Sequence, residues 1–104
     1  MFTFVETSVF SRVLPEYLDD AAYASLQVYL DRHPDAGNVV PGTGGVRRLR
    51  WAAGGRGTRG GLRVIYYLRS GRGEIWLLTL YGKSVRENIS AHVLRKIREV
   101  IENG

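Results

Sequence analysis

Three runs with strand patterning crowd into residues 46–81, and they leave few choices of fold. Val46–Ala52 alternates Arg47, Leu49 and Trp51 with Val46, Arg48 and Arg50. Leu62–Leu68 is rich in β-branched and aromatic side chains, and Glu74–Tyr81 is nearly all apolar. A strand apolar on both faces is expected to lie inside a sheet. Ser70-Gly-Arg-Gly73 reads as a hairpin turn, and Gly-Gly-Arg-Gly-Thr-Arg-Gly-Gly at 54–61 as a flexible, arginine-bearing connection. The three strands are therefore expected to form an antiparallel meander.

Helices frame this meander. Phe2–Glu6 reads as a short first strand. Thr7 or Ser8 is placed to cap a short helix ending near Leu14, with Pro15 as its limit. Asp19 or Asp20 caps a second helix, Ala21–Arg32, with Tyr23, Leu26, Tyr29 and Leu30 on one stripe and Pro34 as its stop. Residues 35–45 read as a loop. Asn88 or Ser90 caps a last helix reaching Asn103, with Val93, Leu94, Ile97, Val100 and Ile101 on its apolar side. The expected order is β-α-α-β-β-β-α, an α+β fold with a small antiparallel sheet. At 104 residues and 44 % hydrophobic content, the chain has the size and apolar content of one domain, 1–104.

Charge is the second constraint. The net charge is +5, but residues 36–73 hold eight arginines (47, 48, 50, 56, 59, 63, 69 and 72) and no acid. They also hold 11 of the 13 glycines, which let backbone approach a ligand. Residues 1–35 are acidic by comparison. Arginine grips phosphate with a planar fork of donors, where lysine acts as a point charge. Such a density of like charge points to an anionic partner, with nucleic acid the leading candidate. The alternative is a solvated basic face.

Several chemistries lack their residues. There is no cysteine, hence no disulfide, thiol nucleophile or zinc-finger site. The only histidines are His33 and His92, and segment 36–73 offers no carboxylate pair for a metal-dependent nuclease. Neither a metal nor a cofactor is expected. No apolar run approaches a membrane span and the N-terminus lacks a signal-peptide pattern, so a cytoplasmic location is expected.

Arg48 and Arg50 share one strand face, and Arg63 lies on the next strand. Together they could line a groove around a phosphodiester and stabilise the charge that builds as phosphorus becomes pentacoordinate. Binding without cleavage is the competing reading. Lys83, just past the apolar strand, can take part in proton transfer where arginine cannot. Tyr81 brings a hydroxyl nearby, or is a core-edge aromatic with a wet tip. Trp51 and Trp76 are expected in the core, leaving Tyr67, on the face of Arg63, as the better base-stacking candidate. Arg47, Arg56, Arg59 and Arg86 complete the candidate RNA contacts.

The stretches Gly42-Thr-Gly-Gly-Val-Arg-Arg-Leu-Arg50, Arg59-Gly-Gly-Leu-Arg-Val-Ile-Tyr-Tyr67 and Leu77-Leu-Thr-Leu-Tyr-Gly-Lys83 together resemble the RelE superfamily of bacterial toxins, in its HigB-like branch. The order of elements matches over essentially the whole chain. The resemblance implies a microbial RNase fold and a ribosome-dependent mRNA endoribonuclease of a type II toxin–antitoxin system. Such an mRNA interferase cleaves in the ribosomal A site without metal, the 2′-hydroxyl acting as nucleophile, and so inhibits translation and arrests growth. Carried over by position, Arg48 and Arg50 match the basic pair, Arg63 the arginine that holds the scissile phosphate, and Lys83 the lysine ending the last strand. Some relatives have an arginine after that lysine and a tyrosine near the C-terminus, where this chain has Ser84 and Ser90. The acid and base thus stay open among Arg56, Arg59, Arg86, Lys83 and Tyr81. The implied partners are mRNA on the ribosome and a small helix-turn-helix antitoxin, with operator DNA reached only through the antitoxin. A non-catalytic nucleic-acid-binding module, or an inactivated toxin in operon autoregulation, is the other reading. A protein-interaction module whose basic groove receives an acidic segment is a third.

Overall fold

The computed structural model describes residues 1–52, 61–83 and 89–104. Among the described residues, three α-helices and five strands, with a short 3-10 turn at Ser70–Arg72 between β4 and β5, follow in the order β1 (Thr3–Glu6), α1 (Ser8–Tyr17), α2 (Asp20–Arg32), β2 (Asn38–Val39), β3 (Val46–Trp51), β4 (Leu62–Arg69), β5 (Glu74–Gly82) and α3 (Ala91–Asn103). The strands form one sheet in the spatial order β1-β5-β4-β3-β2. The architecture is α+β, and the β3–β4–β5 meander is antiparallel as expected. Two features differ from the sequence expectation. β1 pairs in parallel with β5, so the sheet is mixed. A short edge strand, β2, also arises inside the expected loop, with Asn38 opposite Arg48 and Val39 opposite Arg47. The parallel pair follows from connectivity: α1 and α2 occupy one face between β1 and the meander, which is the crossover that parallel strands require.

The helices begin where their caps dictate. The Thr7 hydroxyl accepts from Phe10 N at 3.1 Å, the Asp19 carboxylate from Ala22 N at 2.8 Å, and the Ser90 hydroxyl from Val93 N at 3.2 Å. α1 does not stop before Pro15, as its sequence suggested, but runs to Tyr17. Proline forfeits one helical bond, while Leu18 N still reaches Leu14 O at 3.0 Å and Leu18 closes into the core.

The sheet separates two apolar clusters. Phe10, Leu26 and Leu30 from α1 and α2 pack on Leu49, Val64, Tyr66, Ile75, Leu77 and Leu80. On the opposite face, Leu94 and Ile101 of α3 pack on Val46, Ile65, Tyr67 and Leu78. Val93 and Val100, expected in the α3 stripe, are instead exposed beside Trp76, because the apolar stripe of α3 is wider than the strip of sheet it covers. Both tryptophans pack at the margins of these clusters.

The β4–β5 register shifts between Ile65 and Tyr66: Ile65 faces Thr79 and Tyr66 faces Leu77, leaving Leu78 as an extra residue. This bulge flips the alternation of β5. Ile75 and Leu77 therefore point toward α1 and α2, yet so does Leu80, and Tyr81 is turned to the α3 side.

Burial raises the pKa of three tyrosines, Tyr23, Tyr66 and Tyr67, above the ordinary value of 10.0. Hydrogen bonds to Glu6 and to Glu102 add to this at Tyr23 and Tyr67 respectively. A raised folded-state pKa contributes stability that is whole below the unfolded value and declines above it. The protein is expected to lose stability as pH rises above about 10. Tyrosinate absorbance should appear together with loss of the far-ultraviolet circular dichroism signal. Ionisation of all six tyrosines in a still-folded chain would contradict this.

Candidate nucleic-acid interface

The antiparallel register of β3, β4 and β5 builds a cross-strand row. Arg50 lies directly opposite Arg63, and Arg63 directly opposite Tyr81. Directly opposed side chains share a face, with Cβ atoms about 5 Å apart. The next row inward on that face is Arg48, Ile65 and Thr79, and the one after it is Val46, Tyr67 and Trp76. α3 covers Val46, Ile65 and Tyr67, so the α3 side of the sheet is apolar at one end and basic at the other.

The basic end is an open groove of about 570 Å³ lined by Ala36, Asn38, Arg48, Leu49, Arg50 and Arg63. Sequence reasoning anticipated the three arginines here. It missed Ala36 and Asn38, which reach the groove only because β2 pairs with β3. Among the described residues, no carboxylate stands within salt-bridge distance of Arg48 or Arg50. Like charges directly opposed on a sheet destabilise by a few tenths to about 1 kcal/mol. An anion between Arg50 and Arg63 offsets that repulsion.

The remaining candidates divide. Tyr81 is partly buried against the α3 cluster and ends the arginine row. Lys83 is exposed in the turn beyond β5, two residues past Tyr81 and outside the groove lining. Arg47 is corrected: it points away from Arg48 and Arg50, and its Nη1 donates to Gly37 O at 2.7 Å and Asp35 O at 3.1 Å. Its alternation to the other face puts it under the loop, not against a ligand. Tyr67 is also corrected as a stacking platform. It shares the face of Arg63 but is only 7 % exposed beneath α3, where its hydroxyl donates to Glu102. That hydrogen bond holds the Glu102 carboxyl below its usual pKa. Arg69 is engaged by carboxylates as well, with Glu74 at 3.6 Å and Glu102 at 3.4 Å. Arg56, Arg59 and Arg86 lie outside the described residues.

The histidines stand apart from the groove. The His33 ring packs 4.9 Å from Tyr29 at the end of α2, and His92 lines the apolar surface of α3. Among the described residues, no group of three His, Cys, Asp or Glu side chains is placed to hold a metal ion, and no helix is long and apolar enough to cross a membrane.

Chemically, the groove can do two things. Its forked guanidiniums can hold a phosphodiester from more than one side. In doing so they can also stabilise added negative charge on that phosphate. No protein-family model matches the chain.

Proposed function

We propose that this protein is a ribosome-dependent mRNA endoribonuclease, the toxin of a type II toxin–antitoxin system with a RelE-like microbial RNase fold. The observation that supports this reading is the row Arg50–Arg63–Tyr81 with Arg48 beside it, on the end of the sheet that α3 leaves open. The three arginines bind the scissile phosphate and offset the charge of its pentacoordinate state. The mRNA 2′-hydroxyl attacks that phosphorus, the 5′-oxygen leaves, and a cyclic phosphate remains. Tyr81, opposite Arg63, and Lys83, two residues beyond it, are the groups that take the 2′-hydroxyl proton and return one to the leaving 5′-oxygen. The site of action is the cytoplasmic ribosome, and the partner is a small helix-turn-helix antitoxin.

The test is incubation of the purified protein with ribosomes carrying a defined mRNA, with and without a metal chelator. Cleavage within the A-site codon, a 2′,3′-cyclic phosphate end and indifference to chelation are expected. Induced expression in bacteria should arrest growth and translation. Normal growth with abundant folded protein would overturn the reading.

One observation favours a second reading. Among the described residues, neither a histidine nor a carboxylate lines the arginine groove, so these residues supply phosphate binding more fully than proton transfer. A non-catalytic nucleic-acid-binding module fits that composition. It predicts strongly salt-dependent binding with intact mRNA on programmed ribosomes.

A further inference from the structure

A second pocket, of about 460 Å³, lies on the other face of the sheet, where the end of α2 meets the end of β3. Val28, Tyr29, Arg32, His33 and Trp51 are among the residues that line it. Its aromatic rings touch one another. The Tyr29 ring centre lies 5.1 Å from that of Trp51 and 4.9 Å from that of His33. Alternation along β3 assigned Trp51 to the core, but it packs only at the core margin. The surface beside it stays open, with Tyr29 36 % and Val28 51 % exposed.

The pocket also carries a cation. Arg32 follows Tyr29 by three residues, so both project from one side of α2. Its side chain is exposed, and among the described residues no carboxylate stands within salt-bridge distance of it. Nor does any acidic side chain of the described residues line the pocket. An aromatic surface beside an unneutralised guanidinium matches one kind of ligand: a flat ring that carries a phosphate.

The path from the arginine groove is short. Arg50 and Trp51 are consecutive, so their side chains leave β3 on opposite faces. β2 pairs with β3 only at Arg47 and Arg48. Among the described residues, the outer edge of β3 at Arg50 and Trp51 therefore carries no further strand. A polynucleotide held by Arg50 passes over that edge to reach Trp51.

We infer that this pocket takes a nucleobase, stacked on Trp51 and Tyr29, with the phosphate of the same nucleotide against Arg32. The inference deepens the proposed function and rests on its phosphate-binding groove. Continuity with that groove makes an adjoining nucleotide of the bound strand the expected source, and a free nucleotide presents the same chemistry. Stacking of this kind adds affinity without choosing a sequence, because every base has a π-face.

The chain has two tryptophans, so Trp76→Phe leaves Trp51 as its sole indole and its fluorescence as a reporter of the pocket. In that background, oligoadenylate (2′-O-methylated, hence uncleavable), adenosine monophosphate and inorganic polyphosphate are titrated in turn. Oligoadenylate should quench Trp51. Polyphosphate, which offers charge without a base, should bind without quenching. Quenching by oligoadenylate alone identifies the bound strand as the source; quenching by the monophosphate as well identifies a free nucleotide, and either supports the site. By calorimetry, Trp51→Leu and Tyr29→Ala should each weaken oligoadenylate binding about tenfold. Both should bind polyphosphate as the wild type does, which a misfolded variant would not. Arg32→Ala should lower the slope of log affinity against log salt by about one. Oligoadenylate binding without quenching, or with unchanged affinity in both variants, overturns the inference and leaves the groove intact. Failure of oligoadenylate and polyphosphate alike to bind overturns the groove as well.

Discussion

Arg63→Ala should reduce mRNA cleavage on programmed ribosomes by about 10²–10³-fold, and abolish growth arrest on expression, while the variant stays folded. The magnitude is that of removing one preorganised donor from developing charge. Arg63 is the residue for which it should be largest. It lies on β4, the middle strand of the sheet order, opposite Arg50 on one side and Tyr81 on the other. A phosphate in the groove therefore meets Arg63 at the centre of the row and Arg48 and Arg50 to one side. Arg63→Lys separates charge from geometry: a point charge without the planar fork should restore only part of the rate. Single-turnover rates for wild type, Arg63→Ala, Arg63→Lys and Arg50→Ala decide the matter. Wild-type rates in Arg63→Ala and Arg50→Ala would remove the arginine row from the chemistry.

Tyr66→Ala should cost about 3–5 kcal/mol of unfolding free energy, the range for deleting a large buried aromatic. Tyr66 is completely buried, packs among Leu26, Leu30, Leu49 and Val64, and is the largest side chain so enclosed. The loss is a large part of the roughly 5–15 kcal/mol that a domain has in total. The alanine variant also strands Gly37 N and Pro34 O without their hydroxyl partner. Tyr66→Phe isolates that contribution and should cost about 1–3 kcal/mol. Urea denaturation of both variants measures the two terms. A Tyr66→Phe protein as stable as wild type would show that the hydroxyl does not hold the loop.

Much of this molecule is written locally. Thr7, Asp19 and Ser90 start their helices because a short polar side chain before an apolar stripe satisfies free amides wherever it occurs. The meander follows from alternating and apolar runs broken by glycine. The grouping of Arg48, Arg50 and Arg63 needs only strand alternation and pairing of neighbouring strands. What misled was also local. Pro15 signals a stop to any reading confined to α1, but the burial of Leu18 lies outside that reading. Tyr67 alternates correctly with Arg63, yet alternation cannot tell that α3 comes back to cover one end of that face and not the other.

By itself, the sequence determined the α+β class, the meander and a dense, acid-free arginine segment, because these depend on side-chain type and short-range periodicity. The tertiary structure decided which groups meet. Strict alternation would put Tyr81 on the face of Ile75 and Leu77, away from Arg63; one extra residue at Leu78 turns it onto the arginine row. Likewise, Asn38 is an ordinary loop residue until Tyr66 and Arg47 pin its neighbours and β2 forms against Arg48. The period of a strand is two, so a single-residue shift exchanges its faces. Such shifts are set by packing against distant elements, which no local pattern records.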